Sequence, residues 1–400
     1  MRIVFITSKL NFLTAGGSIL EFDLMYRTLQ KHGHSVTVVT IFSYANRIPE
    51  PLPYRVIEEN VMSRHLVGIQ KGVFNILKKY EKEADVFHVD GHSSLYGAGL
   101  YRLLGGPVPV AAFFNRELVC WPENVSKLLR QKKENFFIRA KKRSRWRIEH
   151  HIGMPLASRI DFMSFTNPVL QKMYEDFGLR TAGKAIVTGD PFDYRTLMNK
   201  NGITESSYRQ RNKVQGRLNI FYSSRMAPGK GFDLLVTAFA KIKNKGKFQL
   251  ILGGDGPERE LLQHKVKELD IAQYVRFPGW VEKKQVFEFY KQADIFVQAR
   301  WRIEMTSITL LEAMSFGLPC VLPGGGGLEW DAQGAALYFK DEDCDDLARK
   351  IEQLGNDYEL RAELSRQCYV RLSSEQMNYK TQITRMCEGM KRICGKSVVS

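Results

Sequence analysis

Two glutamates, Glu304 and Glu312, stand eight positions apart in a segment that ends in four consecutive glycines. Eight residues are a little over two helical turns, so on one helix both carboxylates would share a face, about 12 Å apart along the axis. If Glu304 lies instead in the loop before the helix, it sits near the helix N-terminus, which also favours bound anions. The spacing is typical of a helix that presents one acid to each end of a ligand. Two solvated glutamates on an amphipathic helix would give the same pattern.

Two cations, Arg225 and Lys230, flank Pro228 and Gly229 in a loop between a predicted strand and a predicted helix. Such a pair beside a glycine and a helix N-terminus suits a diphosphate, because arginine binds phosphate bidentately and lysine acts as a point charge. The alternative is two surface cations in a polar loop.

Two glycine-rich turns follow other predicted strands. Gly16 and Gly17 precede a helical stretch, so backbone N–H groups can approach a phosphate at the helix start. This pair is not the G-x-G-x-x-G fingerprint, which disfavours a dinucleotide cofactor. Gly254 lies in the second turn, at residues 253–257, where it is placed either for a tight turn or for ligand contact.

Two other groups of polar residues form recognisable patterns. One is a candidate for ligand contact, and the other resembles a metal-binding motif. His88 and His92 flank Asp90 after a predicted strand, and we predict that this cluster makes polar contacts in a cleft. The acidic run 341–343 has the D-x-D form of a metal motif. An acidic helix N-terminus explains it more simply, so no metal site is predicted.

The strongest electrostatic feature is the segment 127–147, which holds ten lysines and arginines against Glu134 alone, with aromatic and aliphatic residues between them. A basic helix of this kind can lie on anionic lipid headgroups, each cation contributing about 1 kcal/mol. Nucleic acid would use the same charges, and a solvated basic helix is the third interpretation. The candidate membrane contacts are Lys132, Lys133, Arg139, Lys141, Lys142 and Arg143.

The composition is that of a well-packed protein of 400 residues, long enough for two domains. No stretch approaches about 18 apolar residues, and Met1 leads directly into a strand-like pattern, so neither a membrane span nor a secretory signal is predicted. The 6 cysteines are scattered without a C-x-x-C pair, which favours a reducing cytosol and argues against a zinc site. The formal charge of +16 favours an anionic partner.

Short apolar runs alternate with helical stretches along the chain, which predicts parallel sheets with helices on both faces. The predicted strands are 2–8, 35–40, 86–89, 108–114, 160–165, 185–188, 218–222, 248–253, 275–277, 295–298, 320–322 and 336–339. A polar linker is predicted at 196–216, between domains 1–195 and 217–373, and a final helix over 374–393 could cross back to the first domain. The fold class is therefore α/β, with two Rossmann-like domains and ligands expected in the cleft at the carboxyl ends of the strands.

Four motifs follow the order and spacing found in the second domain of GT-B glycosyltransferases of family 4: SSRMAPGKG, ILGGDGP, VRFPGWV and EMTSITLLEAMSFGLPCVLPGGGG. The opening segment, RIVFIT…TAGGSILEFDLMYRTLQKHGHSVTVVT, is similar to the start of the same family. The resemblance covers nearly the whole chain and is dense over 218–340. It implies the GT-B fold and a retaining, metal-independent enzyme that uses a nucleotide-sugar donor.

The resemblance also implies roles for particular residues. Arg225 and Lys230 would neutralise the donor diphosphate and the charge that builds on the leaving nucleotide, which makes them catalytic together with Glu304. Glu304 would lie near the transferred sugar, and Glu312 would bind the ribose hydroxyls. The implied donor site consists of Gly16, Gly17, Arg225, Lys230, Gly254, Val281, Glu304, Thr306, Ser307, Ile308 and Glu312.

Two positions depart from the family pattern. Thr306 and Ser307 stand where the family commonly has glycine, which predicts a changed sugar selectivity. Asn115 stands where the family often has a cleft histidine, and asparagine cannot act as a general base. His92 or Asp90 could take that role, or the role could be absent. The acceptor-side candidates are therefore Asp90, His92 and Asn115.

The sequence predicts a hexosyltransferase that uses a UDP- or GDP-sugar, needs no cofactor, and acts on a glycan or lipid-linked acceptor in cell-surface polysaccharide or glycolipid synthesis. It is expected in the cytoplasm, peripheral at the inner face of the membrane, with no nucleic-acid partner. One alternative is a nucleotide-sugar epimerase or hydrolase of the same fold. A second is a protein that binds nucleic acid through the basic segment 127–147.

Overall fold

The computed structural model describes residues 1–13, 17–63, 65–118, 136–204, 206–207, 216–300 and 306–395, with the backbone alone for residues 17, 18, 92 and 136–139. The chain divides into two compact units. The first unit comprises Met1–Phe192 with Glu375–Ser400, and the second comprises Asp193–Ser374.

The first unit is built on a parallel sheet, which has seven strands among the described residues, in the order β3-β2-β1-β4-β5-β6-β7. The strands are β1 (Arg2–Thr7), β2 (Ser35–Thr40), β3 (Arg55–Glu58), β4 (Val86–Asp90), β5 (Val110–Phe114), β6 (Phe162–Phe165) and β7 (Ala185–Val187). Strand β5 is buried at every residue, as expected for a parallel sheet covered on both faces. The strand order reverses between β1 and β4, and open α/β sheets bind ligands at the carboxyl ends of such neighbours.

Helices cover this sheet. They are α1 (Gly17–Lys31), α2 (Leu66–Lys79), α3 (Gly91–Leu103), α4 (Phe136–Ile148), α5 (Met154–Ala157) and α6 (Pro168–Asp176). A π-helical turn, Glu149–Gly153, joins α4 to α5 without a break.

The second unit has a parallel sheet with six strands among the described residues, in the order β10-β9-β8-β11-β12-β13. The strands are β8 (Leu218–Ser223), β9 (Phe248–Gly253), β10 (Val275–Gly279), β11 (Ile295–Val297), β12 (Cys320–Pro323) and β13 (Ala336–Phe339). The helices are α7 (Tyr194–Asn201), α8 (Phe232–Lys241), α9 (Arg259–Glu268), α10 (Lys283–Gln292), α11 (Ile308–Ser315), α12 (Gly327–Ala332), α13 (Cys344–Asn356) and α14 (Tyr358–Ser373).

The last helix, α15 (Tyr379–Ile393), belongs to the first unit although it follows the second in the chain. Its buried residues Ile383, Met386 and Met390 join the core that contains Phe5 and Phe22. A Cβ added at Gly389 would lie 2.1 Å from the Phe162 ring, so α15 packs closely over β6. The core of the first unit is therefore assembled from both ends of the chain.

Each predicted strand overlaps an observed one, and the α/β class is confirmed. Strand β3 was not predicted, because its sequence, RVIE, has only two apolar residues between two charged ones. None of its four residues is fully buried. The linker predicted at 196–216 begins inside α7, and the second unit starts earlier, at Asp193. Met198 of this polar helix is buried against Tyr369, a tertiary contact that the local pattern does not reveal.

Candidate active site

The loop that carries the two cations follows β8 and is held by the loop that follows β9. The Met226 N–H donates to Asp255 O at 2.8 Å, and the Glu258 N–H donates to Met226 O at 3.1 Å. Strands β8 and β9 are parallel neighbours, so both loops leave the same edge of the sheet. The backbone bonds join them into one surface at the carboxyl ends of the strands, where α/β sheets bind ligands.

Two glycines permit this close approach of backbone to backbone. Gly254 has φ +112°, and a Cβ added there would lie 1.9 Å from Ser224 O. Gly231 has φ +75°, and its added Cβ would lie 1.4 Å from Ala299 O, just after β11. Both positions therefore require glycine for steric and conformational reasons. Contact between Gly254 and a donor stays a prediction.

Three cations lie at this edge. Arg225 is exposed and Lys230 is half-buried. The buried Tyr222 hydroxyl donates to Lys230 O at 2.8 Å and thereby fixes the lysine backbone. Burial raises the pKa of Tyr222, and the Arg300 guanidinium, hydrogen-bonded to the same side chain, acts in the opposite direction. The sequence analysis missed Arg300, although its place shortly after a predicted strand was an available signal.

Glu312 lies on α11 and is 3% exposed. Its Oε1 forms an ion pair with Nζ of Lys283, the first residue of α10. Burial raises the pKa of Glu312, whereas Lys283 and the neighbouring Tyr290 act in the opposite direction. The alternative of a solvated surface glutamate is therefore wrong for Glu312. Lys283 is a second residue that the sequence analysis missed.

Ser307 caps the N-terminus of α11. Its Oγ accepts from the Leu310 N–H at 3.3 Å and donates to Gln298 Oε1 at 3.0 Å. The cap occupies the Ser307 side chain, so this position can offer a ligand only backbone groups. Thr306 and Ile308 flank the cap at the same helix end.

The remaining donor-site predictions are placed as follows. Val281 is half-buried after β10, and a Cβ added at Gly253 would lie 3.3 Å from its side chain, so Val281 borders the loop that follows β9. Gly17 is the first residue of α1. Gly16 and Glu304 lie outside the described residues, and their roles stay predictions.

Polar groups also gather at the carboxyl edge of the first sheet. Asp90, the last residue of β4, is half-buried and accepts a hydrogen bond from Thr7 Oγ1 at 3.1 Å. Burial raises the pKa of Asp90, while Arg116 acts in the opposite direction. Asn115 is 5% exposed, and its Nδ2 donates to Glu21 Oε2 at 3.1 Å.

The sequence analysis did not identify Glu21 or Asp190 in this cluster. Both are buried, at 4% and 1% exposure. Burial, followed by the neighbouring Asp190, raises the pKa of Glu21 well above its usual range, which favours the protonated acid. Asp90 is therefore the carboxyl group of this cluster that is best placed to meet a ligand.

The two histidines beside Asp90 differ. His88 is 2% exposed and packs against the Phe5 ring, with centroids 4.8 Å apart. Burial lowers the pKa of His88 to about 3, so the imidazole is neutral. The predicted polar contact in a cleft is wrong for His88, because its side chain points into the core of the sheet. His92 lies in α3, and its side chain lies outside the described part of the chain.

Helix α4 contains the described part of the basic segment. Lys141 and Arg143 are exposed and Lys142 is half-buried. Farther along the same helical segment, Ile148 is 48% and Ile152 is 57% exposed. The segment therefore presents cations and unburied aliphatic side chains together. Three candidate membrane contacts have side chains outside the described residues: Lys132, Lys133 and Arg139.

Asp343 caps the N-terminus of α13, accepting from the N–H groups of Asp345 at 3.0 Å and Asp346 at 2.9 Å. The helix-terminus interpretation of the acidic run is confirmed. Among the described residues, no group of three or more His, Cys, Asp or Glu side chains could hold a metal ion. Within the same ranges, no helix is both long and apolar enough to cross a membrane.

Comparison with known proteins adds a family match. Residues 204–371 match the model of glycosyl transferases group 1. Mannosylfructose-phosphate synthase of Agrobacterium fabrum is 28% identical over 192 residues, 46% of this chain and 41% of the relative. Alpha-monoglucosyldiacylglycerol synthase of Streptococcus pneumoniae is 22% identical over 362 residues, 86% of this chain and 76% of the relative.

A solved structure resembles the whole chain. The crystal structure of Anabaena Alr3699/HepE in complex with UDP and glucose matches with a TM-score of 0.71 at 17% identity, covering 98% of this chain and 99% of that chain. At this level of identity, the likeness shows a shared fold.

Proposed function

We propose that the chain is a glycosyltransferase with the GT-B fold, which transfers a hexosyl group from a nucleoside-diphosphate sugar to a glycan or lipid-linked acceptor, with retention of configuration; the match of residues 204–371 to glycosyl transferases group 1 supports this proposal. The observation that carries this proposal is that the second unit holds both a cationic loop at the carboxyl edge of its sheet and a buried carboxylate. Arg225 and Lys230 lie on a loop after β8, and Glu312 lies on α11 of the same unit.

The cations would bind the donor diphosphate and stabilise the charge on the leaving nucleotide. Arg300 adds a third positive charge at the same edge of the sheet. In other transferases a divalent metal ion supplies positive charge at the diphosphate. Here protein cations would supply that charge, which supports a reaction that needs no metal ion. Glu312 would accept hydrogen bonds from the ribose hydroxyls.

Turnover that is lost in EDTA and restored by a divalent cation would contradict the metal-independent assignment.

The first unit would bind the acceptor at the carboxyl edge of its sheet. Asp90 supports this assignment, because it is the half-buried carboxyl group at the end of β4. In its ionised form it would accept a hydrogen bond from an acceptor hydroxyl. The relatives reported above include an enzyme named for a lipid product, which favours glycolipid or polysaccharide synthesis.

We assign the protein to the cytoplasmic face of the membrane, held through the cations of α4. Exposed isoleucines after these cations support the assignment, since interfacial segments combine basic and apolar side chains. The two relatives reported above are synthases by name, so the alternatives of an epimerase or hydrolase and of a nucleic-acid-binding protein receive no support from them.

The first test is the substitution Lys230→Ala. Removal of one charge partner of the leaving nucleotide should lower turnover by at least about 100-fold. The control is Lys243→Ala, which removes an exposed cation near the amino end of β9. Near-normal turnover of Lys230→Ala would contradict the assignment of Lys230 to the donor diphosphate.

The donor is identified by a thermal-shift screen of UDP-, GDP- and ADP-sugars, because a bound donor stabilises the fold by mass action. The selected donor is then incubated with and without an acceptor. Acceptor-dependent transfer with an unchanged anomeric configuration, measured by NMR, is the expected result. Epimerisation or hydrolysis that proceeds equally well without acceptor would replace the transferase assignment.

A further inference from the structure

The ion pair between Lys283 and Glu312 is built from two fixed helices. Lys283 is the first residue of α10, where Glu282 and Gln285 form a capping box that holds the first turn. Its ammonium lies 5.8 Å from the centre of the Phe287 ring, one turn farther along the same helix. A cation over an aromatic face is attracted to the ring, so the lysine is restrained at both its backbone and its head group.

The Glu312 side of the pair is equally constrained. Tyr290, also on α10, is 0% exposed, and its hydroxyl donates to Thr309 O at 3.1 Å on α11. This bond ties α10 to the turn that precedes Glu312. The Glu312 side chain is 4% exposed, whereas the Lys283 side chain is 48% exposed. A buried carboxylate without a partner would favour its neutral form, which accepts hydrogen bonds less well.

We propose that Lys283 is a positioning residue of the donor site, which orients Glu312 and keeps it anionic so that the carboxylate can accept hydrogen bonds from the ribose hydroxyls. This inference rests on the proposed function, because it requires a nucleotide at Glu312. It assigns to Lys283 a role in recognition of the ribose and none in the chemical step.

Helices α7, α10, α12 and α14, which surround α11, carry further polar and titratable groups. From α10, Lys283 and Tyr290 act on Glu312, and burial, which raises the pKa of the carboxyl group, is the larger influence. From α14, the Tyr369 hydroxyl donates to Ser315 O at 3.4 Å, at the other end of α11. Between α14 and α12, Arg371 interacts with Asp331. Helix α7 exposes Arg195 and Lys200 to solvent.

The test compares binding of UDP and GDP, and of their 2′,3′-dideoxy forms, by titration calorimetry. In the wild type, the ribonucleotide should bind about 10-fold more tightly than its dideoxy form, as expected for hydrogen bonds to a charged group. In Lys283→Met this preference should be smaller at neutral pH, while affinity for the dideoxy form stays unchanged. Lys283→Arg should restore the preference. Lys284→Met, which removes an exposed cation from the next position, is the matched control.

A pH series separates positioning from a general structural effect. Without Lys283 the pKa of Glu312 rises further, so ribonucleotide binding by Lys283→Met should begin to weaken at a higher pH than in the wild type as the pH falls. Equal weakening of ribo- and dideoxynucleotides at every pH would overturn the proposal, as would an unchanged preference in Lys283→Met. If the wild type binds no nucleoside diphosphate, the proposed function itself fails.

Discussion

At the residue scale, Asp90 provides a test of the acceptor side. Its carboxyl group is half-buried, and burial raises its pKa, so it becomes protonated at a higher pH than an exposed aspartate. If the ionised form binds an acceptor hydroxyl, the KM for the acceptor should rise as the pH falls through this raised pKa. Asp90→Asn should raise the acceptor KM by about 10-fold, remove this pH dependence and leave donor affinity unchanged.

The control for this experiment is Asp85→Asn, which removes a carboxylate just before the amino end of β4, where it pairs with Arg2. Steady-state kinetics with donor and acceptor varied separately measure both constants. An Asp90→Asn enzyme with the wild-type acceptor KM and pH profile would show that the acceptor binds elsewhere.

The sequence identified residues that stand directly after predicted strands, because strand ends in parallel sheets are recognisable from apolar runs. Asp90 was found in this way, and Arg225 and Lys230 were found in the loop that follows a predicted strand, whereas Asn115 was singled out by the family resemblance. It did not identify Glu21 or Lys283, which lie on helices and reach their partners only after folding. Glu21 meets Asn115 across 94 positions of the chain. Such pairs depend on tertiary packing, which no local spacing reports.

At the element scale, α4 makes the membrane proposal testable. The variant combines Lys141→Gln, Lys142→Gln and Arg143→Gln, which removes three positive charges. Each cation near an anionic surface contributes about 1 kcal/mol, so binding should fall by about 100-fold. Sedimentation with vesicles of phosphatidylglycerol and phosphatidylcholine measures the change, and turnover of a soluble acceptor should be unaffected.

The matched control replaces three exposed lysines of the second unit by glutamine: Lys200, Lys243 and Lys267. Its net charge is the same, so non-specific attraction to the vesicles falls equally in both variants. Loss of sedimentation only in the α4 variant supports a local contact. Equal loss of sedimentation in both variants would show that vesicle binding depends on net charge alone. Unchanged vesicle binding by the α4 variant would contradict a membrane role for this helix.

Strands and helices with a regular apolar pattern were predicted well, whereas the polar helix α7 was not. The predicted strand 248–253 matches β9 at both of its ends. Helix α7 was assigned to a linker because its sequence, YRTLMNKN, has no apolar stripe. Asp193 caps it, accepting from the Thr196 N–H at 3.0 Å, and Met198 is its buried residue, with Tyr194 partly buried against the same cluster. One buried residue is too small a signal for a period-based prediction.

For the whole molecule, the first unit depends on a segment that follows the second unit in sequence. Helix α15 supplies Ile383, Met386 and Met390 to the core of the first sheet. This arrangement requires the chain to pass through both units before the first core is complete. The sequence located the helix but could not assign it to a unit, because its apolar face fits any exposed apolar surface.

Met386→Ala tests this dependence. Met386 is 1% exposed, and truncation of a buried methionine to alanine destabilises by about 2–5 kcal/mol. Limited proteolysis in increasing urea should show cleavage of the first unit at lower denaturant than in the wild type. Cleavage within Asp193–Ser374 should keep its wild-type midpoint. Glu388→Ala, an exposed position on the same helix, should leave both midpoints unchanged. If Met386→Ala shifts the midpoint of the second unit as much as that of the first, the two units unfold together and the stability of α15 is shared by the entire chain.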